Sequence, residues 1–390
     1  MIWPWLLLVA FGVLGFICPY VVYPLVLRLK RRRFEIGRAP LPAAWPSVSF
    51  IVAACNAAGK IGPKVRQLRE HDYSGSVEIV VADDGSSDDT ANEATQAGAD
   101  QVLRLPRAGK SEAQNQAVEA ATGEVLIFTD ATVEVLPGAV GHLVAELMVE
   151  GVGCVTGVDV SVAADRQGQG QGQGQDAAEG AGFYTRFETY LRKREAETGT
   201  LIGVNGCLFA VRKTYRPSVP PDCVDDLYVP LAVCDRGLRV TVHPEAKAVV
   251  PRSVSFADEY RRKVRTFTGG IFTMLRAYRH LPRAHRRLQW RLFGHKWSRW
   301  VGPMFLLLAA YGSVGLAFRW PLGWLLVAME IIVTVLAGFG IAATAAGHTP
   351  ARALRLPAFI GLVQLALVHA WYRMFTGQPY VTWKPTRREF

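Results

Sequence analysis

Residues 78–90 read EIVVADDGSSDDT, and residues 125–132 read VLIFTDAT. Each run is a short apolar strand that ends in acid, at Asp83 and Asp84 in the first and at Asp130 in the second. Continuous runs of Val, Ile, Leu and Phe are typical of strands buried on both faces of a parallel sheet. Ligands of open α/β sheets bind beyond the carboxyl ends of the strands, where an acid without a metal, cation or donor is costly to bury. The runs therefore predict a site for a nucleotide with a metal-bound diphosphate. Capping of the following helix is the alternative interpretation of a single acid.

The central region continues this alternation of strands and helices. Further strands are predicted at 48–54, 101–105, 152–162, 206–212 and 238–243, with helical segments between most of them. This pattern predicts an α/β fold with a doubly wound, mixed but mostly parallel sheet over residues 47–270. Gln-Gly repeats occupy residues 167–175, and since they offer nothing apolar to bury, residues 166–178 are predicted to form a mobile loop.

The two ends of the chain are apolar. Hydrophobic residues make up 50% of the 390 residues and are concentrated in segments 1–27, 301–318, 322–345 and 357–372. A helix needs about 20 residues to span a bilayer, so we expect one N-terminal transmembrane helix and about three more within residues 301–376. Five cations at residues 28 and 30–33 follow the first segment directly. The positive-inside rule then predicts a multi-pass protein of a bacterial-type inner membrane, with its central domain in the cytoplasm.

The net charge of +11 is unevenly distributed. Acids belong to the central region, whereas the basic, Pro-rich linker 28–46, the segment 271–300 and the tail 377–390 are rich in cations. This distribution favours contact with anionic lipid headgroups and argues against a nucleic-acid partner. Within residues 271–300, aromatic residues recur at steps of three and four among cations. That spacing predicts an amphipathic helix in the membrane interface.

Six motifs follow one another through residues 48–270. They are Asp83-Asp84-Gly85-Ser86 with Asp88; Gly109-Lys110 with Asn115; Phe128-Thr129-Asp130-Ala131; the run from Gly206 to Arg212; Asp225-Asp226; and the pair Arg262 and Arg265. As a set they resemble the membrane-embedded family 2 glycosyltransferases, which include hyaluronan, chitin and cellulose synthases. The resemblance implies a GT-A fold and an inverting, metal-dependent enzyme. It further implies transfer from a UDP-sugar to a growing cell-surface polysaccharide or glycolipid at the cytoplasmic face, with export partners for the polysaccharide.

The resemblance also assigns roles to individual residues. The nucleotide-binding set comprises Ala54, Asn56, Asp83, Asp84, Lys110, Asp130, Arg262 and Arg265. Carboxylates suit the uridine because they accept hydrogen bonds from its N–H and hydroxyl groups, and Arg265 suits the diphosphate because arginine binds it bidentately. Asp130 corresponds to the first acid of the metal motif, for Mg²⁺ or Mn²⁺.

Catalysis is assigned to Asp226 and Asp225. Asp226 resembles the general base that takes the proton of the acceptor hydroxyl, and Asp225 either orients it or raises its pKa by like-charge repulsion. Capping of the following helix is the alternative for this pair. Gly206, Cys207 and Glu188 are expected on the acceptor side.

The sequence departs from the family pattern at four positions. Arg262 stands where glutamine is expected, Thr266 where tryptophan is expected, Thr132 where a second acid often stands, and Ala57 where the family often has an acid. The missing tryptophan leaves processive synthesis open. Two alternatives follow: transfer of a single sugar to a polyprenyl phosphate or other lipid acceptor, or a non-catalytic membrane scaffold or transporter component that retains a nucleotide-binding fold. The donor sugar and the acceptor are not specified by the sequence.

Overall fold

The computed structural model describes residues 2–160, 175–253, 256–381 and 388–389. Its centre is an eight-stranded sheet with the order β3-β2-β1-β4-β7-β6-β8-β5. The strands are β1 (Val48–Ala54), β2 (Val77–Asp84), β3 (Gln101–Leu105), β4 (Val125–Thr129), β5 (Glu134–Val135), β6 (Val152–Val160), β7 (Leu208–Arg212) and β8 (Arg239–Val249). A separate antiparallel pair joins β9 (Arg252–Ser253) to β10 (Arg388–Glu389).

Helices flank the sheet and form the apolar ends of the chain. They are α1 (Trp3–Ile17), α2 (Val22–Leu29), α3 (Ile61–Arg69), α4 (Thr90–Gln96), α5 (Lys110–Ala120), α6 (Ala139–Leu147), α7 (Gln175–Thr198), α8 (Asp225–Asp235), α9 (Phe256–His280), α10 (Pro282–Leu292), α11 (Ser298–Trp300), α12 (Gly302–Ala317), α13 (Leu322–Ala345) and α14 (Arg352–Phe375). A π-helical stretch, Phe293–Trp297, joins α10 to α11.

The predicted α/β class and the mixed, mostly parallel sheet are confirmed. Strands β3, β2, β1 and β4 are parallel, while β7 runs antiparallel between β4 and β6. The core lies on both faces: Ile51 and Phe128 belong to one buried cluster, and Phe50 and Ile127 belong to the other. Burial on both faces explains why these strands are continuously apolar rather than alternating.

The strand register brings the acidic ends together. Ala54 of β1 pairs with Asp83 of β2. Thr129, the last residue of β4, pairs with Leu208, the first residue of the antiparallel β7. The residue after β4, Asp130, is therefore next to the residue before β7, Cys207.

The Gln-Gly tract falls largely outside the described residues. Residues 166–174 are not among them, and Gln175 begins α7, so residues 175–178 of the predicted loop are helical.

The C-terminal apolar region contains two helices of membrane-spanning length. Among the described residues, α13 and α14 are each long and apolar enough to cross a membrane, and two bent helix pairs raise the number to as many as four. These two helices suggest that the protein associates with a membrane. The N-terminal segment, predicted as one span, consists of α1 and α2 bent by 60°. The break contains Pro19, which has no N–H to continue the helical hydrogen bonds.

The basic segment 271–300 differs from a simple interfacial helix. It comprises the end of α9, then α10, the π-helical stretch and α11. Arg291 and Arg299 are buried in the protein, and the indole N–H of Trp371 donates to the Trp300 carbonyl at 2.8 Å. Helix α7 supplies partners for both cations: the Glu188 carboxylate for Arg299 and the backbone carbonyl of Glu195 for Arg291. The sequence shows cations without a nearby acid in residues 271–300 and gives no sign of the partners on α7. It therefore favours the membrane surface for every cation of the segment.

Candidate functional site

The loop after β1 is fixed by the loop after β2. The Asn56 N–H donates to Ser86 Oγ at 2.9 Å, and the Ser87 N–H donates to Asn56 Oδ1 at 2.9 Å. Asn56 has a positive φ of 49°, which asparagine tolerates better than most residues. The Ser86 hydroxyl also donates to Asp83 Oδ1. These contacts place Ala54, Asn56 and Asp83 at one edge of the sheet, with the Asn56 side chain bracing the loop.

Asp84 connects this edge to the loop before α5. The carboxylate is fully buried, and its Oδ1 accepts hydrogen bonds from the N–H groups of Ala108 (2.7 Å) and Gly109 (2.9 Å). Gly109 has a φ of 101°, which glycine adopts without a steric penalty. The other oxygen, Oδ2, is buried and has no hydrogen-bond partner among the described residues. A buried acceptor without a donor is destabilising, so this atom fits a donor from a ligand.

Lys110, the first residue of α5, links two acids from distant parts of the chain. Its Nζ lies 3.0 Å from Asp130 Oδ1 and 3.8 Å from Asp225 Oδ2. Burial lowers the pKa of Lys110, but the carboxylates of Asp130 and Asp225 outweigh this effect and raise the pKa above its usual value. The lysine is therefore a fixed positive charge at the end of β4.

The acidic pair begins α8. The residue at the N-cap is Val224, and it offers no side-chain cap. The buried Asp225 instead accepts a hydrogen bond from Gln114 Nε2 at 2.9 Å. Asp226 is partly exposed. Burial and the neighbouring Asp225 raise the pKa of Asp226 to about 6, against the opposing effect of Lys110.

The loop before β7 is pinned to Asp226. Pro230 lies inside α8 and has no N–H for the carbonyl four residues earlier, which is that of Asp226. That carbonyl accepts the Val204 N–H at 2.8 Å. Gly206 then lies so close to Asp226 that a Cβ atom would be 3.1 Å from Oδ2. Cys207 Sγ lies 4.0 Å from Asp130 Oδ2, which closes the arrangement.

The arginine pair lies on α9, which crosses the start of α8. Arg262 forms two hydrogen bonds to Glu259, at 2.9 and 2.7 Å. Arg265 precedes Gly269 by four residues and thus lies on the same face of the helix. Gly269 packs against Val224, where a Cβ atom would be 2.6 Å from Cγ1. The helix face that carries Arg265 is therefore directed towards the start of α8.

Glu188, expected on the acceptor side, lies in a buried network. It forms an ion pair with Arg299, and its Oε2 lies 3.1 Å from His295 Nε2. His295 contacts Glu195 through its other nitrogen at 2.9 Å. Burial opposes ionisation of Glu188, but Arg299 and His295 lower its pKa well below the usual value. The structure thus brings Gly206 and Cys207 to the acids and places Glu188 in the junction between α7 and the π-helical stretch.

Three residues of the site escape the sequence interpretation. Gln114 follows Lys110 by one helical turn, so its spacing on α5 was a usable signal. Pro230 follows Asp226 by four residues, which is the spacing that frees a helical carbonyl. Lys296, which lowers the pKa of Asp226, comes from a segment 70 residues away and gives no local signal.

A divalent cation fits the site only if phosphate oxygens of a bound substrate supply some of its ligands. No group of three or more His, Cys, Asp or Glu side chains that would hold a metal occurs in the described part of the chain. Asp130 supplies one carboxylate, and Thr132 follows it where a second acid is absent. Mg²⁺ commonly binds through one or two carboxylates together with substrate phosphates and water. The residues are compatible with that mode and not with a cage built from protein ligands alone.

Comparisons with known proteins agree with this fold. Residues 49–216 match the family described as glycosyl transferase family 2. An N-acetylglucosaminyltransferase of Rhizobium sp. (strain N33) is 22% identical over 312 residues, which cover 74% of this chain and 67% of that protein. A solved structure of the mannosyltransferase PcManGT from Pyrobaculum calidifontis, in complex with GDP-Man and Mn²⁺, superposes with a TM-score of 0.68 and 19% identity, covering 95% of this chain and 99% of that chain.

Proposed function

We propose that this chain, whose residues 49–216 match the family described as glycosyl transferase family 2, transfers a sugar from a UDP-sugar, with inversion, to an acceptor at the cytoplasmic surface of a membrane. The observation that carries the proposal is the continuous contact from Asp130 through Lys110 to Asp225, with Asp226 beside it. These residues come from separate parts of the chain. A scaffold without chemistry would not need two carboxylates to share one lysine beside a partly exposed acid, so the non-catalytic alternative is not retained.

The donor nucleotide is proposed to bind along the ends of β1, β2 and β4. The unpaired Asp84 Oδ2 supports this placement because a uracil N–H or a ribose hydroxyl supplies the missing donor. Asn56 and Asp83 shape the adjacent loop, Lys110 supplies positive charge for the diphosphate, and Arg265 is proposed to bind it from α9. When bound at Asp130, Mn²⁺ or Mg²⁺ supplies Lewis-acid stabilisation of the leaving diphosphate. The mannosyltransferase structure, which contains Mn²⁺, supports dependence on a divalent cation.

Asp226 is proposed to act as the general base. As the acceptor oxygen bonds to the anomeric carbon, the bond to the diphosphate breaks, and the hydroxyl proton moves to the Asp226 carboxylate. Attack from the face opposite the leaving UDP inverts the anomeric centre. A pKa of about 6 suits this role because the group is mostly ionised at neutral pH yet basic enough to accept a proton. Gly206, with no side chain, leaves room for a sugar beside the carboxylate.

Two acceptor classes remain in the proposal, and both are attached to the membrane. The apolar helices α13 and α14 support an acceptor at the membrane surface, either a growing polysaccharide or a lipid. The absence of tryptophan after Arg265 favours the shorter product, a single sugar on a polyprenyl phosphate or other lipid.

The test is a nucleotide-release assay on the full chain in detergent. UDP-glucose, UDP-N-acetylglucosamine, UDP-galactose, UDP-glucuronate and GDP-mannose are each supplied with Mn²⁺, with Mg²⁺ or with a chelator. We expect release from a UDP-sugar only when a divalent cation is present. A product ladder identifies a polymer, and one organic-soluble product identifies a lipid-linked sugar. Release from GDP-mannose alone would contradict the UDP assignment, and no release from any donor would contradict the whole proposal.

A further inference from the structure

A basic pocket whose lining includes none of Asp84, Asp130, Asp225 and Asp226 lies at the junction of three elements. It has a volume of about 330 Å³ and lies between the linker after α2, the end of α7 and α10. Its lining includes five cations and no acid: Lys30, Arg31, Arg33, Arg287 and Arg291. A second pocket of about 480 Å³ shares Lys30 and adds three arginines and Tyr190. Neighbouring cavities with this composition are suited to an anion.

Three cations of the first pocket form no ion pair with any residue that the structure describes. Within the described residues, none of Arg31, Arg33 and Arg287 has a carboxylate within 4.0 Å in an ion pair, whereas the nearby Glu197 is shared by Arg32 and Arg194. Burial lowers the pKa of Lys30, and the cations Arg291 and Arg33 add to the effect. Like charges held this close repel one another, so a bound anion stabilises the arrangement.

Two cations of the pocket pack against the same tryptophan ring. Lys30 Nζ lies 3.8 Å from the centre of the Trp290 ring, and the Arg291 guanidinium lies 4.9 Å from the same ring. Arg291 also donates to the carbonyl oxygens of Glu195 (3.0 Å) and Thr200 (2.9 Å). Lys30 and Arg291 are therefore held in place by aromatic and backbone contacts. The cations Arg31, Arg33 and Arg287 supply the charge that is available to a ligand.

The pocket adjoins an exposed apolar surface. Helix α2 ends at Leu29, which is 78% exposed, and Leu25 one turn earlier is 52% exposed. The first cation of the pocket, Lys30, follows immediately. Apolar side chains that give way to a cluster of cations match the change from acyl chains to headgroups in a membrane.

The pocket is separate from the proposed acceptor site. Its residue Thr200 contacts Cys234 Sγ at 3.4 Å. Cys234 follows Asp226 by eight residues on α8, which corresponds to about 12 Å along a helix. A phosphate in the pocket is therefore too far from Asp226 to be the nucleophile.

We propose that this pocket binds the phosphate of an anionic membrane lipid and thereby anchors the junction of α2, α7 and α10 at the headgroup level. A soluble phosphate would satisfy the same cations. The experiment therefore compares ligands with and without acyl chains, and lipids with and without a net negative charge.

The test compares short-chain ligands on the full chain in detergent. The probes are dihexanoyl phosphatidylglycerol, dihexanoyl phosphatidylcholine and inorganic phosphate, with affinities measured by thermophoresis. The pocket variants are Arg31→Gln with Arg33→Gln, and separately Arg287→Gln. The control is Arg66→Gln with Arg104→Gln, which removes the same charge from exposed positions on α3 and β3, outside the pocket.

We expect phosphatidylglycerol to bind best and the double pocket variant to weaken it about tenfold or more. Arg287→Gln should weaken it about fivefold, whereas the control should bind like the native chain. Equal binding by the pocket variants, or equal loss in the control, would overturn the proposal. Inorganic phosphate binding as tightly as phosphatidylglycerol would reject a lipid ligand, as would equal binding of phosphatidylcholine. Because the variants alter exposed cations, thermal unfolding should match the native chain, and the two independent variants make the outcome decisive.

Discussion

Gly206 lies directly against the carboxylate of Asp226, so close that a Cβ atom on the glycine would be 3.1 Å from Oδ2. The two residues are brought together by the hydrogen bond from the Val204 N–H to the Asp226 carbonyl. The space beside the proposed base, Asp226, is therefore open because Gly206 has no side chain.

The first prediction concerns this contact. Gly206→Ala should lower kcat at least about tenfold, because a displacement of about 1 Å at a reacting group can cost about 100-fold. The fold should persist, because a small shift of the Asp226 side chain accommodates the methyl group. Gly338→Ala is the matched control, since a Cβ atom there meets nothing within 4 Å. Native kcat in the Gly206 variant would show that this contact does not matter for turnover.

The second prediction concerns the lysine between the acids. Lys110→Met should raise the KM of the donor about tenfold or more, since hydrogen bonds to charged groups are worth about 1.5–3 kcal/mol. Lys110→Arg retains the charge, so its KM for the donor should lie between those of Lys110→Met and the native enzyme. The measurements are the KM of the donor and the Kd of UDP, each with and without Mn²⁺. Unchanged values for Lys110→Met would remove the lysine from nucleotide binding.

The third prediction is a pH dependence. The pKa of Asp226 is raised to about 6 by burial and by Asp225, and the base works only when ionised. Therefore kcat/KM should fall as the pH decreases through about 6. Asp225→Asn removes the repulsion, lowers the pKa of Asp226 and should move the acid limb to lower pH.

Asp222→Asn serves as the control for this shift. Asp222 forms an ion pair with Arg276 on α9 at 3.0 Å and is not among the groups that shift Asp226. The fall of kcat/KM at low pH in Asp222→Asn should coincide with that of the native enzyme. An unchanged or upward-shifted limb in Asp225→Asn would separate the observed titration from Asp226.

The fourth prediction separates a structural from an acceptor-binding role for Glu188. Glu188→Gln removes one carboxylate from the buried pair with Arg299 and should lower the free energy of unfolding by about 3 kcal/mol. Glu245→Gln breaks the exposed pair with Lys247 and should change it by less than about 1 kcal/mol. The measurement is thermal unfolding in detergent. If Glu188→Gln has native stability and a raised KM for the acceptor, Glu188 binds the acceptor and its role is not structural.

The sequence predicts those parts of the site whose signals are local. Asp83, Asp84 and Asp130 each follow an apolar strand, and such strands share one edge in a parallel sheet, so their proximity follows from topology alone. The four-residue spacing of Asp226 and Pro230 is also a local signal, although the sequence interpretation did not use it.

Long-range partners are not readable in this way. The antiparallel insertion of β7 beside β4 depends on sheet-wide packing, and it brings Cys207 to Asp130. Burial of Glu188 depends on His295 and Arg299, more than 100 residues later. An exposed helix and a buried ion network have similar charge patterns, so only the tertiary structure distinguishes them.

The most direct test of the account is Asp226→Asn, assayed for both nucleotide binding and turnover. The amide preserves the size of the side chain but does not accept the acceptor proton. We expect the Kd of UDP to stay within about threefold of the native value, while sugar transfer falls by about 100-fold or more, the range of general base catalysis. Full turnover by the Asp226→Asn variant would contradict the assignment of the base and, with it, the proposed mechanism.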